Sequence, residues 1–374
     1  MPLCPVPSLY VCGLGLPLAA FLGGLPPGQG AQAPAANPEV LVAGCRDHRQ
    51  PAATLWADGQ ATPLAGPRMV RVNAMVASGR DVFTAGWAAT APAPPGPGWR
   101  PTQIAMVWKN GAGTALTGGA TYGVALAVGK AGRDIYAAGA DDEHARLWKN
   151  REARPLADGG ARSWARALVL DGGHALVAGN MHSGPGGTSV AVVWRDGKVQ
   201  ALTDGSREAC AKGIAVAGRD VYVAGYESNG QVNVAKVWKN GVPLPPLSDG
   251  SRNAEAEAVA VVGGAVLVAG SEAIGAPVLD SAGNPVAHMP VATLWRDGAP
   301  VRLTDGSRFA WAHALASGGT RVYVAGEEYR SSSMSGDEAF ATVWRLDPSG
   351  PAATRLTDGS TAASAAAICL AGAR

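Results

Sequence analysis

Cysteine is scarce in this chain. Five occur in 374 residues, at positions 4, 12, 45, 210 and 369. No pair makes a C-x-x-C, and no His/Cys spacing matches a zinc site, which excludes the common redox and metal modules. No metal and no cofactor is expected. Charge is also thin, at 16% of residues with a net of +2. That removes the basic field of a nucleic-acid binder and any acidic tail. After residue 40 no apolar run approaches the ~20 residues of a membrane span. Gly and turn pairs break every such run before a helix could form, so a helical reading fails. G-x-S-x-G, P-loop and HExxH motifs are all absent.

What is present is repetition. Trp recurs at 56, 108, 148, 194, 238, 295 and 344, with spacings of 40 to 57 residues. The clearest unit, 209–250, has four runs. We label them a (Gly213–Ala217), b (Val221–Gly225), c (Val234–Trp238) and d (Leu244–Leu247). Each is short, rich in Val, Ala, Tyr and Trp, and bounded by Gly, Asp or Asn, as strands are. Asn110-Gly111, Asn240-Gly241, Asp58-Gly59, Asp196-Gly197 and Asp297-Gly298 follow the Trp. They suit the positive φ of a two-residue type I′ hairpin. The d runs end in turns such as Thr203-Asp204-Gly205-Ser206 and Ser248-Asp249-Gly250-Ser251. Four short strands on a period of roughly 40–50 residues predict an all-β protein, a β-propeller with four-stranded blades.

The first repeat-like segment, 40–44, reads as b without its a, and the last, 365–370, as a without its b. Together they make one blade, so a seven-bladed β-propeller is expected, its closing blade shared by the N- and C-termini. Closure also removes the free sheet edges of an open array. The domain reading is a signal peptide over 1–33, a short linker over 34–37 and one propeller domain over 38–374. The signal rests on the apolar stretch 9–25 followed by Ala31-Gln32-Ala33, and it departs from the usual pattern in lacking an early Lys or Arg. A secreted, periplasmic or cell-surface monomer is the expectation. Cys45 and Cys369 both fall in the closing blade, but out of register for a disulfide.

Strand a is monotonous except near its start. One position there carries Asn73, Val124, Arg166, Lys212, Glu257, His313 and Ala366; two residues earlier stand Arg71, Tyr122, Trp164, Cys210, Glu255, Trp311 and Ser364. If a is innermost, these ring the mouth of the central channel on the face of the b–c loops. Trp164, Trp311 and Tyr122 suit stacking on a sugar, and Arg71, Arg166 and Lys212 suit an anionic group. The ligand-binding candidates are Arg71, Asn73, Tyr122, Trp164, Arg166, Lys212, Glu255, Glu257, Trp311 and His313. The plainer alternative is that they satisfy one another. Two residues past each Ala-Gly of strand b lies a second set, including Asp141, Glu227, Glu272 and Glu328. Ion pairs from these to Arg162, Arg207, Arg252 and Arg308 on the blade crossings are expected. Glu257 with His313, or Glu255 with Glu257, are the weak catalytic candidates.

The pattern W-[KR]-[ND]-G, L-[TS]-D-G-[ST] and D-V-Y-V-A-G resembles that of bacterial secreted β-propeller proteins, over 38–374. It lacks the Trp-Asp dipeptide, the paired Gly of kelch repeats and the S-x-D-x-G-x-x-W box of sialidases. The fold alone licenses no activity. The expected function is binding of a glycan or protein ligand at the channel mouth. The alternatives are an extracellular polysaccharide hydrolase or lyase centred on Glu257 and His313, and a structural cell-surface module.

Overall fold

The computed structural model describes residues 11–12, 39–46, 52–64, 69–89, 102–157, 161–183, 187–279, 285–319, 321–330, 338–347, 349–360 and 362–371. Among them are strands and no helix. Seven antiparallel four-stranded meanders are arranged in a ring. Blade 1 is Val70–Ser78, Asp81–Ala89, Gln103–Lys109 and Ala112–Ala115. Blades 2, 3 and 4 start with Gly123–Ala131, Ser163–Asp171 and Ala209–Ala217. Blades 5 and 6 start with Ala254–Val262 and Ala310–Gly318. Blade 7 takes Ala363–Ala371 as strand a and adds Glu39–Arg46, Ala52–Ala57 and Gln60–Pro63 as b, c and d. The shared closing blade is therefore present, with Val42 opposite Ile368. Strand a of each blade packs on strand a of the next, and blade 7 on blade 1. A two-residue strand, Val11–Cys12, runs parallel to strand a of blade 6, beside Leu315 and Ala316. The rest of the segment read as a signal peptide lies outside the described residues.

Strands a, b and c are longer than the sequence predicts. In blade 4 they run Ala209–Ala217, Asp220–Ser228 and Asn233–Lys239, while d is the two residues Val242–Pro243 and not the expected Leu244–Leu247. The long b–c connection of blade 5 also folds a small hairpin, Pro277–Leu279 with Pro285–His288. Much of the variable loop sequence, including 90–101 and 331–337, lies outside the described residues.

One irregularity recurs in all seven blades. The a–b ladder carries a bulge opposite the Ala-Gly of strand b, which leaves one residue of strand a without a partner across the ladder. That residue is Asn73, Leu126, Arg166, Lys212, Glu257, His313 or Ala366 in turn. The bulge brings the carbonyl two residues earlier down onto the Gly. A Cβ added at Gly225 would lie 2.0 Å from the Cys210 oxygen, and one at Gly86 would lie 1.8 Å from the Arg71 oxygen. The Ala-Gly repeat is thus explained by missing side-chain volume rather than by a left-handed φ.

The hairpin turns do need positive φ. Asn110 and Gly111 sit at 49° and 86°, Asp297 and Gly298 at 50° and 84°. The turn side chain then caps the neighbouring strand: Asn110 Oδ1 accepts from Val82 N at 2.8 Å, Asp297 Oδ1 from Val266 N at 2.8 Å. Where strand b opens with Asp81, Asp134 or Asp220, the turn carries Asn, whose amide donates to that Asp at 2.7 Å. Where it opens with His174 or Ala265 the turn carries Asp196 or Asp297. In those five blades the exchange avoids placing two carboxylates together; blade 7, whose strand b opens with Glu39, carries Asp58 all the same. Blade 2 breaks the rule at the second turn position, where Arg151 takes φ 81°. A non-glycine residue there costs ~1–2 kcal/mol.

The core lies between blades. All seven marker Trp residues are at most 1% exposed. Ala dominates the buried positions of strand a, including Ala74, Ala165, Ala211, Ala256 and Ala312. Small side chains let seven inner strands crowd around one axis. The Asp-Gly-Ser turns are turn formers, as their repetition implies: Asp204, Asp249, Asp305 and Asp358 each accept the N–H two residues on at 2.8–3.0 Å.

Candidate functional site

The bulge sets what the channel wall presents. Five of its seven residues are polar, and all five are buried: Asn73, Arg166, Lys212, Glu257 and His313. The sequence alignment put them before strand a; the longer strand places them inside it. Blade 2 also corrects the alignment. Its bulge residue is Leu126, not Val124, and Val124 takes the place assigned to Tyr122. Tyr122 sits two residues further out, 40% exposed.

The wall has two unlike arcs. Across blades 1 to 3, Val124, Leu126 and Ala140 pack with the partly buried Trp87 and Trp164. Trp164 meets His182 edge to face at 5.6 Å. Across blades 4 to 6 the wall is charged. Lys212, 1% exposed, pairs with both Glu255 and Glu257, the latter at 2.5 Å. Its ammonium lies 5.5 Å from the Tyr226 ring centre. Glu255 also accepts from Asn233 at 2.8 Å. His313 Nε2 lies 3.6 Å from Glu327. Beside this arc Trp311 stacks on Phe309 at 5.9 Å and meets Tyr329 edge to face at 5.6 Å.

Several candidates do satisfy one another. Asn73 donates to the Ala125 carbonyl at 3.0 Å and Arg166 to Asn180 at 2.9 Å. The two glutamates divide electrostatically although they share one ammonium. Burial pushes Glu257 up, Glu255 adds to this, and Lys212 and His313 only partly oppose it. Burial also acts upward on Glu255, but Lys212, Asn233 and Arg166 outweigh it and hold that carboxyl below its ordinary range. Glu257 Oε2 and His313 Nδ1 are buried with no hydrogen-bond partner among the described residues. Among the same residues no cluster of His, Cys, Asp or Glu could hold a metal. Cys45, Cys210 and Cys369 are buried and form no disulfide with one another.

Sequence reasoning missed Trp87, Asn180, Tyr226 and Glu327. Each follows directly on the Gly of Ala-Gly and pairs across the ladder with the position two before the bulge. Reading one residue past the Gly, instead of two, finds them. The residues two past the Gly pair mainly within their own blade: Glu272 with Arg302 at 2.7 Å, Glu227 with Lys236, Glu328 with Arg355 at 3.1 Å. Among the described residues the expected bridge to a crossing appears as Arg308 to Glu328, at 4.0 Å. Arg162 pairs with Glu143 at 2.8 Å rather than with Asp141.

No family model matches the sequence, and no curated protein matches it. Among solved structures it is similar to the Pyrococcus horikoshii acylaminoacyl peptidase, at 12% identity and TM-score 0.47, over 83% of this chain and 48% of that one. It is similar to the β-propeller domain of the Trilobed protease from Pyrococcus furiosus, at 10% identity and TM-score 0.47, over 84% of this chain and 88% of that one. A third is an acylaminoacyl peptidase in complex with Z-Gly-Gly-Phe-chloromethyl ketone, at 11% identity and TM-score 0.46, over 87% of this chain and 52% of that one. This chain spans about half the length of the peptidases. The fold itself is that of a seven-bladed β-propeller.

Proposed function

We propose that the chain is a binding module and that its ligand is a glycan held at the channel mouth. The observation that carries this reading is the division of the mouth into two arcs. Partly buried Trp87 and Trp164 line blades 1 to 3 beside Arg71, Asn73 and Arg166, and the Lys212 ion pairs line blades 4 and 5. A pyranose is built the same way, with a C–H face that stacks on indole and a rim of hydroxyls that takes polar partners. Arg71 and Glu255 are partly exposed and supply polar contacts; Tyr122 extends the aromatic surface outward. Catalysis is less well supported, because Glu255 and Glu257 are both committed to Lys212. No helix among the described residues is long and apolar enough to cross a membrane. The apolar stretch 9–25 supports a role outside the cytoplasm.

The test is a glycan array with the full chain beside Trp164→Ala and Trp311→Ala. Binding by the parent that falls at least ~10-fold in Trp164→Ala is the expected result, since the indole withdraws about 1.5–3 kcal/mol of apolar burial when it is removed. An array on which the parent binds nothing sinks the glycan reading and leaves a protein ligand.

A further inference from the structure

Blade 2 departs from the repeat at two places, and both line one cleft. The first is Ala137. In each blade one residue of strand b stands directly opposite the marker Trp. Five blades have Val there (Val42, Val177, Val223, Val268, Val324), and blade 1 has Thr84. Blade 2 has Ala137, opposite Trp148. The second is Arg151, which takes a positive φ where blades 1, 3, 4, 5 and 7 have Gly.

Between blades 1 and 2 a cleft of about 250 Å³ is lined by Val107, Leu116, Ile135, Ala137 and Trp148 and edged by Lys109, Thr114, Asn150 and Arg151. The lost methyl groups at 137 contribute to that space. Its edge is cationic, and the two cations differ. Lys109 is engaged by Asp81 at 2.8 Å. Arg151 is exposed, and it has no hydrogen bond or ion pair among the described residues. Asn150 spends its amide on Ile135 N and Asp134. A strained backbone thus holds an uncommitted guanidinium at the rim of an apolar cleft. Strain of this kind persists where the site has a use for it.

We propose that this cleft binds a small amphipathic carboxylate, its apolar body against Trp148, Ile135 and Leu116 and its carboxylate on Arg151. The volume sets the size. A dry cavity of ~150 Å³ takes up benzene, so the cleft accommodates one ring with a short arm. Guanidinium is the cation suited to a carboxylate, through two parallel N–H donors. The site is separate from the channel mouth and does not depend on the reading given for it.

Calorimetric titration of the full chain with 3-phenylpropionate and with 3-phenylpropionamide tests the proposal, using the parent, Ala137→Val and Arg151→Gly. Both substitutions install the residue other blades carry, and an undiminished melting temperature checks that each folds. The expected result is saturable one-to-one binding of the acid, at least ~10-fold tighter than the amide. Ala137→Val should abolish it by filling the cleft. Arg151→Gly should weaken the acid at least ~10-fold and leave acid and amide alike. No saturable binding of the acid overturns the proposal. So does equal affinity of the parent for acid and amide, or binding unchanged in Ala137→Val.

Discussion

Gly225→Ala should cost at least about 3 kcal/mol of stability, far more than a glycine-to-alanine change usually does. The added Cβ would stand 2.0 Å from the carbonyl oxygen of Cys210 and 3.0 Å from its carbon. Both are backbone atoms held by the bulge, so neither can swing aside. Relief requires undoing the bulge, and that would shift Lys212 out of its place against Glu255 and Glu257. Gly218→Ala is the control. Gly218 has a φ of +62° and open space around its Cβ position, so only the left-handed penalty of ~1–2 kcal/mol applies. Urea denaturation of the two variants compares them directly. If Gly225→Ala is no worse than Gly218→Ala, steric exclusion at the bulge is not the reason for the repeated Ala-Gly.

Lys212→Met should be comparably damaging near neutral pH and much less so in mild acid. Lys212 pairs with both Glu255 and Glu257. Removing one partner of a buried ion pair costs ~3–5 kcal/mol, because a charge is left uncompensated. The pH dependence follows from the signs in the parent. Glu257 is raised by burial, so its contribution is present at low pH and is lost as pH rises through the raised value. Glu255 is held low despite burial, by Lys212, Asn233 and Arg166, so its contribution is present above the ordinary glutamate range and lost as pH falls through the depressed value. Without Lys212, Glu255 loses its main counter-charge and both carboxyls behave as buried acids. Protonation then relieves the variant at both carboxyls, whereas in the parent only Glu257 takes up a proton early and Glu255 stays charged until pH falls below the ordinary glutamate range. The stability gap between them should narrow between about pH 7 and about pH 5. Thermal melts at the two pH values measure it, and a gap that stays constant would show that the glutamates are not what Lys212 holds.

Strand positions were legible because their markers are local. Trp at the end of strand c, the Asn-Gly or Asp-Gly after it and the Ala-Gly of strand b each report a backbone requirement within a few residues. The split blade followed from the same markers. The register of strand a was legible in six blades, five through a polar residue at the bulge and blade 7 through Ala366, which falls where the repeat put it. In blade 2 the run Gly123–Ala131 offers Val, Ala and Leu without distinction, so the alignment slid by two and assigned Tyr122 a place that belongs to Val124. Glu327 was overlooked for a different reason. Strand b continues past its Gly, and alternation turns the next residue, not the one after, toward the level of the wall. Partners were the least legible part. Arg302 and Lys236 reach Glu272 and Glu227 along the sheet of their own blade, and no spacing in the sequence distinguishes that from the predicted bridge to a crossing.

The seven marker indoles have an optical consequence. One sits in each blade, at most 1% exposed, and those of Trp56, Trp194, Trp295 and Trp344 have no hydrogen-bond acceptor among the described residues. An indole in such dry surroundings emits toward the blue, and water entering its blade moves the emission to the red. The blue part of the emission therefore follows the intact blades, above a redder background from partly exposed Trp87, Trp164 and Trp311. A closed ring whose blades depend on both neighbours loses all seven blue emitters in one transition, whereas a chain of units that melt singly loses them in steps.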